Sequence, residues 1–596
     1  MSQPTLPHPV RTAGRVFAWV LAGVLLIALA ATVWVGVRGS LAYAHLKTVQ
    51  DAMATATASG TDPADAATAL QPLAGDVASA HDLTSDPIWR TAEHLPWVGP
   101  QLAAFGTVAA SADTLFTGLS SLATAASGLS IDSLRPTGGR IDPGVLDPLA
   151  APDQTAATGA EAAAQGIRNI DRAPLLGTLA RSVDDADRLF TRVASAVDAL
   201  SRTAQVLPDM LGRNGPRTYL VLVQNNAEWR SLGGIAGAGV VLRADDGTLS
   251  LAGTVSSRDF PGGFAEPVAA LSDEVTAIYD TKPARYFQNV TQVPDFTVGA
   301  PLARDMYRAF SGADVDGVLA LDPVVLSYLL AATGPVNLPT GDSLTADNAV
   351  PLLLNEVYFR YTDPAAQDAF FAGAAGAVFQ ALADGRGSAP GLVSALTRAA
   401  GEHRLLVWSA DATEENVLSG SVVAGELPTT DAHTARFGVY LNDGTGSKMS
   451  YYTEPTVALT WNTCAAAGTL ASRELTLDIT LTSTAPADAS TSLPAYITGD
   501  GWFGTAPGVT EVISNIYLPQ GFELLSATSS TGRGFAGGMH EGRRVLTAGV
   551  DLAPGETQQL TIVAAATTTA ATAEAVVTPT ANAALTPTVP ASCAVG

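Results

Sequence analysis

The hydrophobic positions of this chain change period along its length, and each change predicts a different kind of structure. From Val16 to Val37 the run VFAWVLAGVLLIALAATVWVGV carries no charge, and at helical rise it covers the roughly 30 Å of a bilayer's hydrocarbon core. A transmembrane helix is predicted over 16–37. Farther on, Phe105, Val108, Ala112, Leu115, Leu119 and Leu122 step by three and four, as do Leu179, Val183, Ala186, Phe190, Val193, Val197 and Leu200. Each set is the apolar stripe of a helix that needs a partner, and the Pro- and Gly-rich stretch 130–156 separates them. Residues 40–215 are therefore expected to form an α-helical stalk or small bundle.

At Arg217 the period shortens. TYLVLVQN reads as a buried strand, and AGVVLRADDGTLSLAG sets Asp246-Gly247 between two alternating runs, a hairpin signal. Helical stretches over 303–310, 323–332 and 349–384, the last broken near Asp363-Pro364, alternate with the strand GVLALD. That alternation predicts a central α/β domain over 216–402. Beyond it the helical period disappears: Leu475, Leu477, Ile479 and Leu481 alternate with Thr476, Asp478, Thr480 and Thr482, and short apolar runs continue between tight turns. An immunoglobulin-like β-sandwich over 403–596 is expected. The fold class is thus multidomain: N-terminal transmembrane helix, α-helical stalk, central α/β domain and C-terminal immunoglobulin-like β-sandwich.

Charge sets the compartment. Arg11 and Arg15 precede the apolar run and Arg38 and Lys47 follow it, with no acid before Asp51, so the positive-inside rule places 1–15 in the cytoplasm and the bulk outside the cell membrane. The alternative is a signal peptide cleaved near Ala42-Tyr43-Ala44, but the apolar run exceeds the about 7–15 residues of a signal sequence's core. On either reading the remainder is exported. Setting Arg11, Arg15 and Arg38 aside from the 32 bases leaves 29 against 56 acids, about −27, without a basic cluster, which argues against nucleic acid as a partner. The two cysteines, Cys464 and Cys593, are expected to form a disulfide in an oxidising compartment, since a metal site would want four ligands.

Candidate chemistry is sparse. Asn225, Asn226, Glu228 and Arg230 directly follow the buried strand, where polar groups are costly unless satisfied, so this loop either binds a ligand or pins neighbouring backbone. Arg258 and Asp259 end the hairpin, and Arg360 and Asp363 flank the helix break. Such residues can grip phosphate oxygens or hold a divalent cation, and equally can be ion pairs and loop caps. Asn442-Asp443-Gly444 reads as a turn and Asp322-Pro323 as a helix start. The histidines, His8, His45, His81, His94, His403, His433 and His540, avoid the α/β core proper, so a Ser-His-Asp triad there would lack its base. Neither a P-loop signature nor a dinucleotide fingerprint is present.

The segment NGPRTYLVLVQNNAEWRSLGGIAGAGVVLRADDGTL, with LPWVGP upstream and VYLNDGTGSKMSYY downstream, resembles the actinobacterial membrane-anchored family of domain of unknown function 4012. The QNNAE-x-R-x-x-GG element is the most specific part, and the family has no established activity. In motif order the α/β region is also similar to the LytR-CpsA-Psr phosphotransferases, which move lipid-pyrophosphate-linked glycans onto the cell wall. That resemblance implies Arg230, Arg258 and Arg360 as phosphate grips and Asp259 and Asp363 as metal ligands. Where that family has an Arg-rich helix, this chain has YFRYTDPAAQDAFF and keeps only Arg360, Asp363 and Gln367. Two expectations of different class result. One is a membrane-anchored, extracytoplasmic envelope protein that binds a wall glycan, a lipid-linked precursor or another protein without catalysis or cofactor. The other is a divergent glycopolymer phosphotransferase using Mg2+.

Overall fold

A computed structural model describes residues 8–56, 72–126, 131–149, 152–260, 262–462, 473–567, 570, 572–581 and 588–593. The chain is multidomain, with an apolar N-terminal helix, a helical region and several β-sheets. It divides into two compact units, Met1–Ser130 with Pro148–Ser201, and Ile131–Asp147 with Arg202–Gly596.

In the first unit, α1 (His8–Ala56) is one unbroken helix. Its stretch Phe17–Ala52 is long and apolar enough to cross a membrane, and no hydrophobic side chain from Phe17 to Val37 is buried. The helix continues beyond the apolar run, and Ala42 packs with Ala80 of α2 (Leu73–Thr84) and Ala109 of α4 (Gly99–Ala126). A short helix, α3 (Pro87–Ala92), links α2 to α4, with Asp86 capping it by accepting from the Ile88 and Trp89 amides at 2.8 and 3.2 Å. Residues 99–120 of α4 are also long and apolar enough for a span, but they are partly covered, which suits a core helix. Small residues let α4 lie close to α5 (Pro152–Arg168): a Cβ on Gly118 would stand 3.3 Å from the Ala156 Cα, and one on Gly166 only 2.7 Å from the Ser111 hydroxyl. The last helix of the region, α6 (Gly177–Met210), carries the second apolar stripe, and its residues from Arg202 group with the second unit.

The second unit is built on a five-stranded sheet of order β3-β2-β1-β4-β7. Its strands are β1 (Arg217–Asn225), β2 (Ile235–Asp245), β3 (Thr248–Ser256), β4 (Gly317–Leu321) and β7 (Leu406–Ser409), while β5 (Val336–Asn337) and β6 (Ser343–Leu344) form a separate small hairpin. β1 and β4 run parallel, and β2 and β3 add antiparallel. The β2–β3 turn places Asp246 at φ 46° and Gly247 at φ 78°, the left-handed pair that a two-residue hairpin needs. Ile141 donates its amide to the Gly247 carbonyl at 2.9 Å and Arg140 bridges to Thr248, so residues 131–147 group with this sheet instead of with the helices. After a short helix, α7 (Asp273–Tyr279), the chain forms α8 (Phe296–Ser311), on which one face of the sheet packs through Leu220 and Leu222. That helix begins earlier than the pattern at 303–310 suggested, because Asp295 caps it and Pro301 sits inside it. The other face meets α9 (Pro323–Thr333), a helical run over 349–360 with a π turn at Leu352–Glu356, and α10 (Pro364–Ala383).

The C-terminal strands form two sheets of order β12-β15-β10-β9-β18 and β13-β14-β11-β8-β16-β17. In the first are β9 (Thr453–Trp461), β10 (Arg473–Ser483), β12 (Phe522–Ser529), β15 (Thr557–Ala566) and β18 (Ser592–Cys593). In the second are β8 (Thr434–Asp443), β11 (Thr510–Tyr517), β13 (Ala536–His540), β14 (Arg543–Leu552), β16 (Thr572–Val577) and β17 (Thr588–Pro590). Alternating residues of both, among them Val439, Leu441, Leu477, Ile479, Val550 and Ile562, close one core. Into that core the loop after β1 inserts Trp229, which has no exposed surface. Cys593 stands in register with Trp461, and Cys464 lies outside the described residues.

Candidate functional site

The alternation of β1 decides where a cavity opens. Leu220 and Leu222 face the α8 side, so Val221 and Val223 face the other, where a 470 Å³ cavity lies against α9 and α10. Its walls are mostly apolar, with Val240, Leu326, Leu329, Phe371, Ala375 and Phe379 among them. A space of this size and lining suits a hydrocarbon chain or another compact apolar group.

Polar groups enter the lining in two clusters. In the first, Asn225 at the end of β1 donates its amide to the Tyr358 hydroxyl at 2.6 Å, Tyr358 stacks on Tyr496 with centroids 5.3 Å apart, and the Lys448 ammonium lies 5.5 Å from the Tyr496 ring. Burial pushes the Tyr358 phenol up to about 12, so it stays protonated at neutral pH. In the second, half-exposed Arg258 pairs with Asp368 of α10 at 2.8 Å, and Asp259 accepts from the Ser256 amide at 2.7 Å to close the loop after β3. Arg258, Asp259, Asp368 and Lys448 all line the cavity.

The rest of the expected site does not converge there. Asn226 is fully buried and donates to the Asp322 carboxylate at 3.1 Å and the Pro579 carbonyl at 3.2 Å. Asp322 does start a helix, accepting from the Val325 amide at 2.9 Å, and it is also paired with buried Arg404 at 2.6 Å. Arg230 is turned inward: it donates to the Trp229 carbonyl at 2.7 Å, Asn289 at 2.9 Å and Glu228 at 3.1 Å. Glu228 takes its second cation from Lys448, also buried. Burial works to raise the Glu228 carboxyl, but Lys448 and Arg230 outweigh it and hold it below the usual range. Of the two roles open to this loop, pinning backbone is the one its partners fill. Arg360 pairs with Asp342 at 2.8 Å and Glu356 at 2.9 Å, and Asp363 caps α10 by accepting from the Ala365 amide at 3.1 Å; neither lines the cavity. Arg258 is therefore the one arginine of the three expected grips that the cavity receives. Among the described residues no group of three or more His, Cys, Asp or Glu side chains could hold a metal ion.

The Asn442-Asp443-Gly444 turn joins the same buried network. Asp443 donates its amide to the Trp229 carbonyl at 2.9 Å, and its carboxylate accepts from the Thr445 and Gly446 amides at 3.0 and 2.6 Å. Burial, reinforced by Glu228, pushes the Asp443 carboxyl up to about 6. Sequence reasoning missed Lys448, Tyr358, Tyr496 and Asp368 as cavity residues. Lys448 alone carried a signal, being one of only three lysines and lying within the VYLNDGTGSKMSYY segment.

Residues 214–358 match the model of a family described as "Protein of unknown function (DUF4012)", a stretch that holds β1 to β4, the pinned loop and part of the cavity wall. No curated protein and no solved structure matches the chain.

Proposed function

We propose that this is a single-pass, membrane-anchored protein of the extracytoplasmic cell envelope whose cavity takes up the hydrocarbon of a lipid-linked glycan precursor, binding it without transfer chemistry. The carrying observation is the 470 Å³ apolar cavity with half-exposed Arg258 in its wall, a combination suited to an amphiphile with an anionic head. The anchor is the apolar part of α1, with the N-terminus cytoplasmic by the charge of Arg11 and Arg15. The immunoglobulin-like reading of the C-terminal strands rests on two sheets sharing one core, and such a module serves as a spacer or an adhesive surface toward wall glycan or an envelope protein. Transfer of the LytR-CpsA-Psr kind relies on several cations around the phosphates, and here Arg230 and Arg360 are engaged elsewhere.

The test is binding of a fluorescent polyprenyl diphosphate to the full-length protein in nanodiscs, with and without magnesium. Saturable, magnesium-independent binding is expected, abolished by the cavity-filling Ala375→Trp and weakened about tenfold by Arg258→Ala, the loss of one charge-assisted contact. Unaltered binding by a folded Ala375→Trp variant would sink the cavity assignment. Magnesium-dependent release of phosphate or glycan transfer would favour the phosphotransferase instead.

A further inference from the structure

The LPWVGP motif takes no part in the cavity, yet the chain spends unusual backbone on it. Trp97 sits at φ 67°, a conformation a bulky residue rarely adopts, and its side chain is 90% exposed. The loop is nonetheless closed by backbone hydrogen bonds. Leu95 donates its amide to the Ala92 carbonyl at 3.0 Å, Val98 to Pro96 at 2.8 Å, and Gly99 to Leu95 at 2.9 Å. Gly99 is required there, since a Cβ would fall 2.1 Å from the Glu93 carbonyl oxygen. A strained, well-bonded turn that holds an indole out in water forgoes the stabilisation that burying a large aromatic side chain would give.

Its position in the first unit explains the display. α2 runs back along α1, from the His45–Asp76 pair at 2.7 Å to Arg38, which donates to the Leu83 carbonyl at 2.8 Å and pairs with Asp86 at 2.9 Å. Trp89 then packs beside Gly39. The connection from α2 to α4 therefore lies where α1 leaves its apolar run, one turn from Trp34, whose ring is 5.3 Å from the Arg38 guanidinium. Ile88, Leu95, Trp97 and Val98 are all exposed on that connection. Exposed Leu176, in the turn before α6, comes to the same end, because Gln101 accepts from its amide at 3.0 Å and donates to the Pro174 carbonyl at 2.8 Å.

We propose that these five side chains form a foot that inserts into the headgroup and upper acyl region of the bilayer beside the α1 span, with Trp97 as its deepest anchor. The occupant is lipid and not protein because the connection is bonded to α1 at Arg38, where the exposed apolar run of α1 ends, and because Trp with Arg38 and Arg90 is the residue mix of a membrane interface. The foot would fix the tilt of the helical region against the membrane. This inference rests on α1 being a span.

Full-length protein is placed in vesicles containing phosphatidylcholine brominated high in the acyl chain, and wild type is compared with Trp97→Phe and Trp34→Phe, so that each difference isolates one indole's emission. The Trp97 difference signal is expected to fall about twofold with brominated lipid and to resist aqueous iodide, and the Trp34 signal to be quenched as well. Quenching of Trp34 without Trp97 overturns the foot and leaves the span intact. Quenching of neither overturns the span itself. A Trp97 signal shielded from both bromine and iodide means that protein covers it, and that too overturns the proposal.

Discussion

Lys448→Met tests whether the buried ion network is organised as described. Lys448 and Glu228 are each less than a tenth exposed, and among the described residues Arg230 is the only other cation bonded to that carboxylate. Removing one member of a buried pair typically costs about 3–5 kcal/mol, and the remaining Arg230 contact puts this variant near about 3 kcal/mol. The sign with pH is fixed by the wild-type shift. Glu228 is held below its ordinary value, so its contribution to stability is present above the unfolded pKa and is lost as pH falls. In the variant the strongest opposing charge is gone, Glu228 titrates higher, and the deficit should shrink on acidification from pH 7.5 to 4.5. Guanidinium unfolding in detergent, followed through buried Trp229, measures both points. Adding Glu228→Gln should recover part of the loss at pH 7.5, since no carboxylate is then left without Lys448. A deficit equal at both pH values, or a double variant as unstable as the sum of the singles, would refute the reasoning.

Asp443 should behave in the opposite sense: with its carboxyl raised to about 6, its ionisation weakens the fold as pH rises from about 4 to 7, and Asp443→Asn should flatten that slope in thermal unfolding series. Trp229→Ala should cost about 3–5 kcal/mol by emptying a fully buried site, and should loosen hydrogen exchange on β8 and β11 although the residue lies outside those strands. Arg404→Leu should be comparably damaging, since it strips buried Asp322 of its cation, whereas Arg360→Ala, on an exposed pair, should change stability by less than about 1 kcal/mol.

Elements whose cause is local were legible in the sequence. The β2–β3 hairpin followed from Asp246-Gly247, β10 from its strict alternation, and the helix break from Asp363-Pro364, which caps α10. The site was legible only in part. The polarity of Asn226, Glu228 and Arg230 announced that something must satisfy them, but the partners lie far along the chain, at Pro579, Lys448 and Asn289. No period or motif encodes such a pairing. Tyr358 and Tyr496 were invisible for the same reason, since each looks like an ordinary core aromatic until the sheet and the C-terminal strands bring them together.

The insertion of Trp229 into the core between the two C-terminal sheets sets an order of assembly. A chain is made from its N-terminus, so the loop after β1 exists long before the strands that receive its indole, before Lys448, and before Pro579 and Thr580, whose carbonyls accept from Asn226 and Arg404. Until those late residues arrive, Glu228, Arg230 and Arg404 are charges without their full native environment. The five-stranded sheet can form early, but it can become native only once Pro579 and Thr580 have been made. A chain stopped at residue 402 would keep most of that sheet and still be unfinished.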